Sequence, residues 1–174
     1  MLTLIVDGYN AIHSWSGLRD IVNSDLALAR ASLVHLMSEY SAREGVSVTV
    51  VFDAHFRKGH PELEVVDGVT VCFGTELQSA DHVIERLAYE ATRDGPAPDV
   101  IVVTGDRLQA TLVTAMGVST MSVQSLQEDV LRATTESSRA QQGKGEVSRF
   151  RRVEDTIDPE TRARLERMRR GESD

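Results

Sequence analysis

The sequence predicts an α/β domain on a mostly parallel central sheet, followed by a polar, arginine-rich tail. Three observations carry this reading. Short runs rich in valine and isoleucine recur along the chain, stretches of helical period separate most of them, and the composition changes near residue 138. The runs are nearly continuous rather than strictly alternating, as strands buried on both faces of a parallel sheet require. Strands that alternate with helices give the α/β class.

In chain order, strands are expected at 2–6, 46–52, 69–73 and 100–103, with a weaker one at 118–121. Leu26, Ala29, Leu33, Leu36, Met37 and Tyr40 fall on one helical stripe that ends near Gly45. A second helix begins at the good N-cap Ser79, runs through Val83, Ile84, Leu87, Ala88 and Ala91, and stops at Asp94-Gly95-Pro96. Leu108, Leu112, Val113 and Met116 mark a third helix closed by Gly117, and Val123, Leu126, Val130 and Leu131 a fourth. No internal repeat is present. Residues 137–145, SSRAQQGKG, have linker composition, so the domain is placed at 1–138 and the tail at 139–174. Within the tail, Asp158-Pro159-Glu160 is a helix start with proline in the first turn, which makes the tail partly helical. Its apolar residues are too few for a core of its own.

With 174 residues and 41% hydrophobic content, the chain can bury one real core and is too short for two ordinary domains. No run approaches the ~18 apolar residues of a membrane span. One cysteine, Cys72, lies inside an apolar run, and no basic leader precedes an apolar segment, so a disulfide-free, cytoplasmic protein is expected. Acidic residues outnumber basic ones 27 to 19, for a net charge of -8, which argues against a basic coat protein for nucleic acid. Residues 1–138 hold 9 basic and 19 acidic side chains, whereas 139–174 hold 10 and 8.

Asp7 follows the first expected strand, Asp53 the second and Asp106 the strand at 100–103. In open parallel sheets ligands bind at the carboxyl edge, so acids from distant parts of the chain can converge there. Asp81 lies in the first turn of the helix after Ser79, with Glu85 one turn further along the same face. Aspartate also caps helices and closes turns on its own account. Four acids at one edge nevertheless repel, and a bound divalent cation relieves that repulsion. An all-oxygen donor set suits Mg²⁺ or Mn²⁺ rather than zinc, and such an ion supports in-line displacement at a phosphodiester. No P-loop follows any strand and no G-x-G-x-x-G follows the first, which removes the NTPase and dinucleotide-binding readings. Neither Lys58 nor Lys144 stands near the last strand, where a receiver domain needs its lysine.

Asp7-Gly8-Tyr9-Asn10, Phe52-Asp53-Ala54-His55, Ser79-Ala80-Asp81 and Thr104-Gly105-Asp106, in this order and spacing, resemble the YacP-like branch of the NYN domains, within the PIN-like nuclease superfamily. The resemblance covers about residues 1–132, with Arg57-Lys58-Gly59 and Ile84-Glu85-Arg86-Leu87 inside it. It implies a three-layer α/β/α sandwich, metal-dependent cleavage of RNA, and action on mRNA at the ribosome. By position, Asp7, Asp81 and Asp106 become the metal-binding acids, Asp53 a further ligand or neighbour of theirs, and Asn10 the group that orients a water or phosphate oxygen. Gly74-Thr75 stands where many members have a Thr-Lys pair, and Ser79 and Gly105 where they have threonine and serine.

Arg107, Arg57 and Lys58 are the candidate phosphate contacts, since an acidic body still needs local positive charge to hold RNA. His13, His55 and His82 are taken as hydrogen-bonding groups, His82 being turned about 100° from Asp81 on its helix. Tyr9 and Trp15 are the aromatic residues near the edge that a base could stack on, although Tyr9 is rather expected to point into the sheet–helix core. The function expected is a divalent-metal endoribonuclease acting on single-stranded RNA. Two alternatives stand beside it: a catalytically inactive RNA- or ribosome-binding module of the same fold, and a metal-dependent phosphatase. The arginines of the tail are read either as a tether to RNA or the ribosome, or as the charged face of a surface helix.

Overall fold

The computed structural model describes residues 1–54, 58–93, 95, 97, 99–139 and 157–172. Among them, six strands form one sheet: β1 (Thr3–Asp7), β2 (Ser47–Phe52), β3 (Leu63–Val66), β4 (Val69–Phe73), β5 (Val100–Val103) and β6 (Ser119–Met121). Their order across the sheet is β3-β4-β2-β1-β5-β6. All pairings are parallel except the β3–β4 hairpin. The helices are α1 (Gly8–Ser14), α2 (Ser16–Val22), α3 (Leu26–Glu44), α4 (Ala80–Thr92), α5 (Arg107–Ala115), α6 (Val123–Arg139) and α7 (Pro159–Arg170). None of them is long and apolar enough to cross a membrane.

The two-residue period of the central strand sorts the layers. Leu4 and Val6 point into a core built with α1, α2, α3, α6 and α7, where Trp15, Leu33, Leu126 and Leu165 are buried. Ile5 points the other way, into a second core with Ala80, Val83 and Ile84 of α4 and Val113 of α5. The fold is therefore the expected α/β/α sandwich. All five expected strands are present, as are the four helices expected in the body. Ser79 caps α4 by accepting from the His82 amide, and α6 continues to Arg139, beyond the expected Leu131.

Two features were not expected. The hairpin strand β3 is an exposed edge whose Leu63 and Val65 face solvent and whose Glu64 breaks the apolar run. Its turn carries positive φ at both Asp67 and Gly68, the geometry of a tight hairpin, and Asp-Gly between apolar residues is the sequence signal for it. The second feature is the pair of seven-residue helices α1 and α2. Ala11, Trp15, Leu18 and Ile21 keep a helical spacing, but the chain leaves helical geometry at Trp15. There the fully buried indole donates to the Val123 carbonyl at 2.8 Å and ties both helices to α6.

Helix α7 begins as the sequence predicts, with Asp158 capping and Pro159 in the first turn. It lies on the body: Leu165 and Met168 enter the core, Thr161 donates to Asp67 at 2.9 Å, Arg162 pairs with Asp25, and Arg164 pairs with Glu64. The expected linker lies outside the described residues from 140 onward, as do residues 149–152 of the basic tail. Glu166 joins α7 to α3 through Arg30 at 2.7 Å and also receives Arg169 and Arg170.

Removing the Leu165 side chain should therefore cost about 2–5 kcal/mol, the usual range for a buried Leu→Ala change. Urea unfolding of Leu165→Ala against the wild type measures it; an unchanged midpoint would mean that α7 is not docked. Glu166 titrates at about 2, held there chiefly by the Arg169 hydrogen bonds, with the charge of Arg30 and a hydrogen bond from Arg170 adding to it. Because this lies below its ordinary 4.5, the stability it lends is complete above pH 4.5 and fades as pH falls toward 2. Denaturation midpoints should drop more steeply through that window for the wild type than for Glu166→Gln.

Candidate active site

The chain lays β2 and β4 on one side of β1, then returns to place β5 and β6 on the other. The carboxyl ends of β1 and β5 thus flank the switch point, where an open sheet leaves a crevice. Asp7 is the last residue of β1 and the N-cap of α1. One carboxylate oxygen accepts from the Asn10 amide at 3.0 Å and the other from the Asn10 side-chain nitrogen. Gly8 makes this turn possible, because a Cβ there would stand 2.4 Å from the Phe52 ring. Gly105, at the end of β5, makes room for the Asn10 side chain, whose Oδ1 lies 2.9 Å from where a Cβ at 105 would be. Asp7 is only 7% exposed. Burial pushes its carboxyl up from the ordinary range, the Asn10 hydrogen bonds partly oppose this, and the charge of Asp81 pushes it up further.

Asp81 sits in the first turn of α4, where the helix dipole favours an acid. Its Oδ1 accepts from the side-chain nitrogen of Gln109 at 2.7 Å. Gln109 is buried, and its own Oε1 has no hydrogen-bond partner. Asp106 caps α5, one oxygen accepting from the Leu108 and Gln109 amides at 2.7 and 3.1 Å. A single turn of α5 thus receives Asp106 and braces Asp81. The sequence carries a signal for this, since Asp106-x-x-Gln109 has the spacing of a capping box, in which the fourth residue serves the helix start. Here the Gln109 side chain turns to Asp81 instead.

Asp7, Asp53 and Asp81 line one cavity of about 290 Å³ together with Tyr9, Asn10 and His13. Its described lining includes no lysine or arginine. Asp106 is exposed and is not part of that lining, and among the described residues no three His, Cys, Asp or Glu side chains stand close enough together to hold a metal ion. The structure thus brings together three of the four candidate acids and leaves Asp106 joined to them through α5. Arg107 and Lys58 are exposed and outside the cavity, and Arg57 and His55 lie outside the described residues.

The aromatic candidates separate. Trp15 is core, whereas Tyr9 is half-buried, packs edge-on against Phe52 and lines the cavity. The His82 ring is within hydrogen-bonding distance of the Ser79 hydroxyl. Sequence reasoning missed Gln109, and also Arg30, Glu166 and Arg169, which come together around the Tyr9 hydroxyl and the first turns of α3.

Comparison with known proteins gives the family and agrees with the fold. The family model for the YacP-like NYN domain matches residues 4–170, taking in α7. YacP of Bacillus subtilis (strain 168) is 35% identical over 127 residues, which are 73% of this chain and 74% of that protein. The crystal structure of Rae1 (YacP) from Bacillus subtilis superposes with a TM-score of 0.66 at 30% identity, covering 98% of this chain and 96% of that one. A mutant of the same protein gives 0.66 at 28% identity, with 94% and 98% covered.

The upward shift at Asp7 has a sign that can be measured. A carboxyl that titrates higher folded than unfolded costs stability once pH passes its ordinary 3.8, and the cost is fully present at neutral pH. Asn caps a helix as well as Asp does. Asp7→Asn should therefore melt at a higher temperature than the wild type at pH 7, and the gap should close as pH falls below 3.8. A variant less stable at neutral pH would mean that the carboxylate is satisfied where it lies.

Proposed function

The chain belongs to the YacP-like NYN domain family, whose PIN-like nuclease fold carries a nuclease-type role, and from that premise we propose a divalent-metal-dependent endoribonuclease that hydrolyses phosphodiester bonds of single-stranded RNA. The observation that carries the reading is the buried Asp7 carboxyl facing the Asp81 charge, in a cavity that Asp53 also lines and no described cation enters. The donor set is all oxygen, which fits Mg²⁺ or Mn²⁺, ions that take one or two protein carboxylates and fill the remaining positions with water and phosphate. Asp7 and Asp81 would hold the ion, with Asp53 beside them and Asp106 on the neighbouring turn. When bound, the ion supplies a more acidic water and a counter-charge for the phosphate oxygens.

The chain's own residues do the positioning. Asn10 fixes both oxygens of Asp7, and Gln109 fixes one oxygen of Asp81, so that each carboxylate is held in one orientation in which it would meet an ion. Asn10 also lines the cavity, where it would orient a water or a phosphate oxygen. Arg107, Arg57 and Lys58 are proposed to contact the strand outside it. A body of this charge does not attract RNA strongly, because backbone affinity grows with the number of phosphates neutralised. The reading therefore includes presentation of the mRNA by the ribosome, in the cytoplasm.

The absence of a three-ligand cluster among the described residues favours one second reading, a binding module of this fold that does no chemistry. Labelled single-stranded RNA incubated with the protein in Mg²⁺, Mn²⁺ or EDTA, with and without ribosomes, separates the two. Cleavage should need the metal, and Asp7→Asn and Asp81→Asn should each lower it on the order of 100-fold or more, the loss of several kcal/mol at the transition state. Binding without cleavage in either metal, ribosomes included, would establish the module instead.

A further inference from the structure

A second cavity, of about 660 Å³, shares Tyr9, His13 and Asp53 with the acid cavity. Its wall includes Arg30 of α3 and Glu166 and Arg169 of α7. Arg30 is 3% exposed, yet its Nε has no hydrogen-bond partner. Its other two nitrogens are fixed: Nη1 donates to the Tyr9 hydroxyl at 2.9 Å and Nη2 to Glu166 at 2.7 Å. Arg169 grips the same carboxylate with Nε at 3.0 Å and Nη2 at 2.6 Å, and remains a third exposed. Three guanidinium groups, those of Arg30, Arg169 and Arg170, thus share one carboxylate, and although Asp53 also lines the cavity, the α3–α7 wall carries more positive than negative charge.

A buried guanidinium with an open donor is costly unless something accepts from it. The planar fork of arginine matches phosphate oxygens, and prior fixing of the fork by Tyr9 and Glu166 reduces the entropy lost on binding. We propose that Arg30 and Arg169 form a phosphate subsite that holds a second backbone phosphate of the RNA strand whose scissile phosphate faces Asp7 and Asp81. Helix α7 is then part of the substrate channel. Glu166 is a positioning residue, binding both guanidiniums through one carboxylate. Tyr9, common to both cavities, lies between the two phosphates. The proposal rests on the nuclease reading given above, and it is tested by binding as well as by turnover.

The test uses the full chain and a labelled single-stranded oligoribonucleotide, titrated in EDTA at several salt concentrations. Arg169→Ala should bind about tenfold more weakly than the wild type, and the slope of log affinity against log salt should become shallower by about 0.7, the value for one phosphate contact on a single strand. Arg169→Lys, which keeps the charge without the fork, should recover part of the affinity. It also provides the comparison if the alanine variant melts early. In Mg²⁺ or Mn²⁺, Arg169→Ala should raise KM and leave kcat at saturating RNA within about twofold, and the shallower salt slope tells a lost phosphate contact from a loosened α7. Unchanged affinity and salt slope in Arg169→Ala would overturn the subsite and leave the nuclease reading intact. A wild type that binds through Arg169 but cleaves nothing in either metal, ribosomes included, would overturn the nuclease reading and leave the phosphate subsite intact. Failure of the wild type to bind the oligonucleotide, with capture of an acidic peptide instead, would overturn the RNA assignment.

Discussion

The arrangement depends on a carboxylate that ends the central strand inside the protein. Asp7 is where β1 stops, and β1 is the strand about which the chain reverses its direction of building. Because the same side chain caps α1, the position of the acid and the direction of the first helix are set by one pair of hydrogen bonds to Asn10. Helix α1 then directs Ala11 and Ile12 into the core and delivers Trp15, whose indole fixes the start of α6. A solvated aspartate would cap the helix equally well. Keeping it buried beside Asp81 opposes stability, and sites of that kind are where function is expected to be stored.

The parts of this architecture that could be read from the sequence are those set by local period and local caps. Four strands show as apolar runs because both their faces are covered, β6 shows only weakly because it is a short, exposed edge, and α4 and α7 start where Ser79 and Asp158 accept amide hydrogens. The edge strand β3 has one solvated side, so its pattern is mixed, and its identity rests on the Asp67-Gly68 turn alone. At the site, the acids at strand ends were legible because topology puts strand ends together. Gln109 was not, since its role depends on α4 and α5 lying side by side, which no spacing within either helix encodes. Arg30 was hidden for a related reason: it falls on the buried side of α3 among apolar residues, and its partner is 136 residues away.

The segmental charge of the chain takes on a different meaning once α7 is docked. As a sequence, the basic residues after 138 read either as a tail that reaches outward or as a surface helix salt-bridged by the interleaved acids. In the fold, Arg162, Arg164, Arg169 and Arg170 are paired with carboxylates, those of Asp25, Glu64 and Glu166. Two of these carboxylates belong to the acidic body. Exposed pairs of this kind contribute little each. Their effect is to register α7 on α3 and on the β3–β4 hairpin while Leu165 and Met168 supply the burial. Beside Tyr9, the guanidiniums of Arg30 and Arg169 meet on the single carboxylate of Glu166.

The role of α7 cannot be isolated by cutting the chain. Arg30 belongs to α3 and Glu166 to α7, so truncation would leave the buried guanidinium without its carboxylate as well as removing arginines. Breaking a buried ion pair from one side destabilises by about 3–5 kcal/mol where the survivor stays desolvated, and by less here, since removing α7 also uncovers the Arg30 guanidinium that is left behind. That loss would fall on α3, whose first turns form part of the wall of the cavity that adjoins the acids. A truncated protein would then bind RNA poorly whether α7 contacts the strand or only supports α3. Substituting Arg169 alone leaves Arg30 and Glu166 paired and separates contact from support.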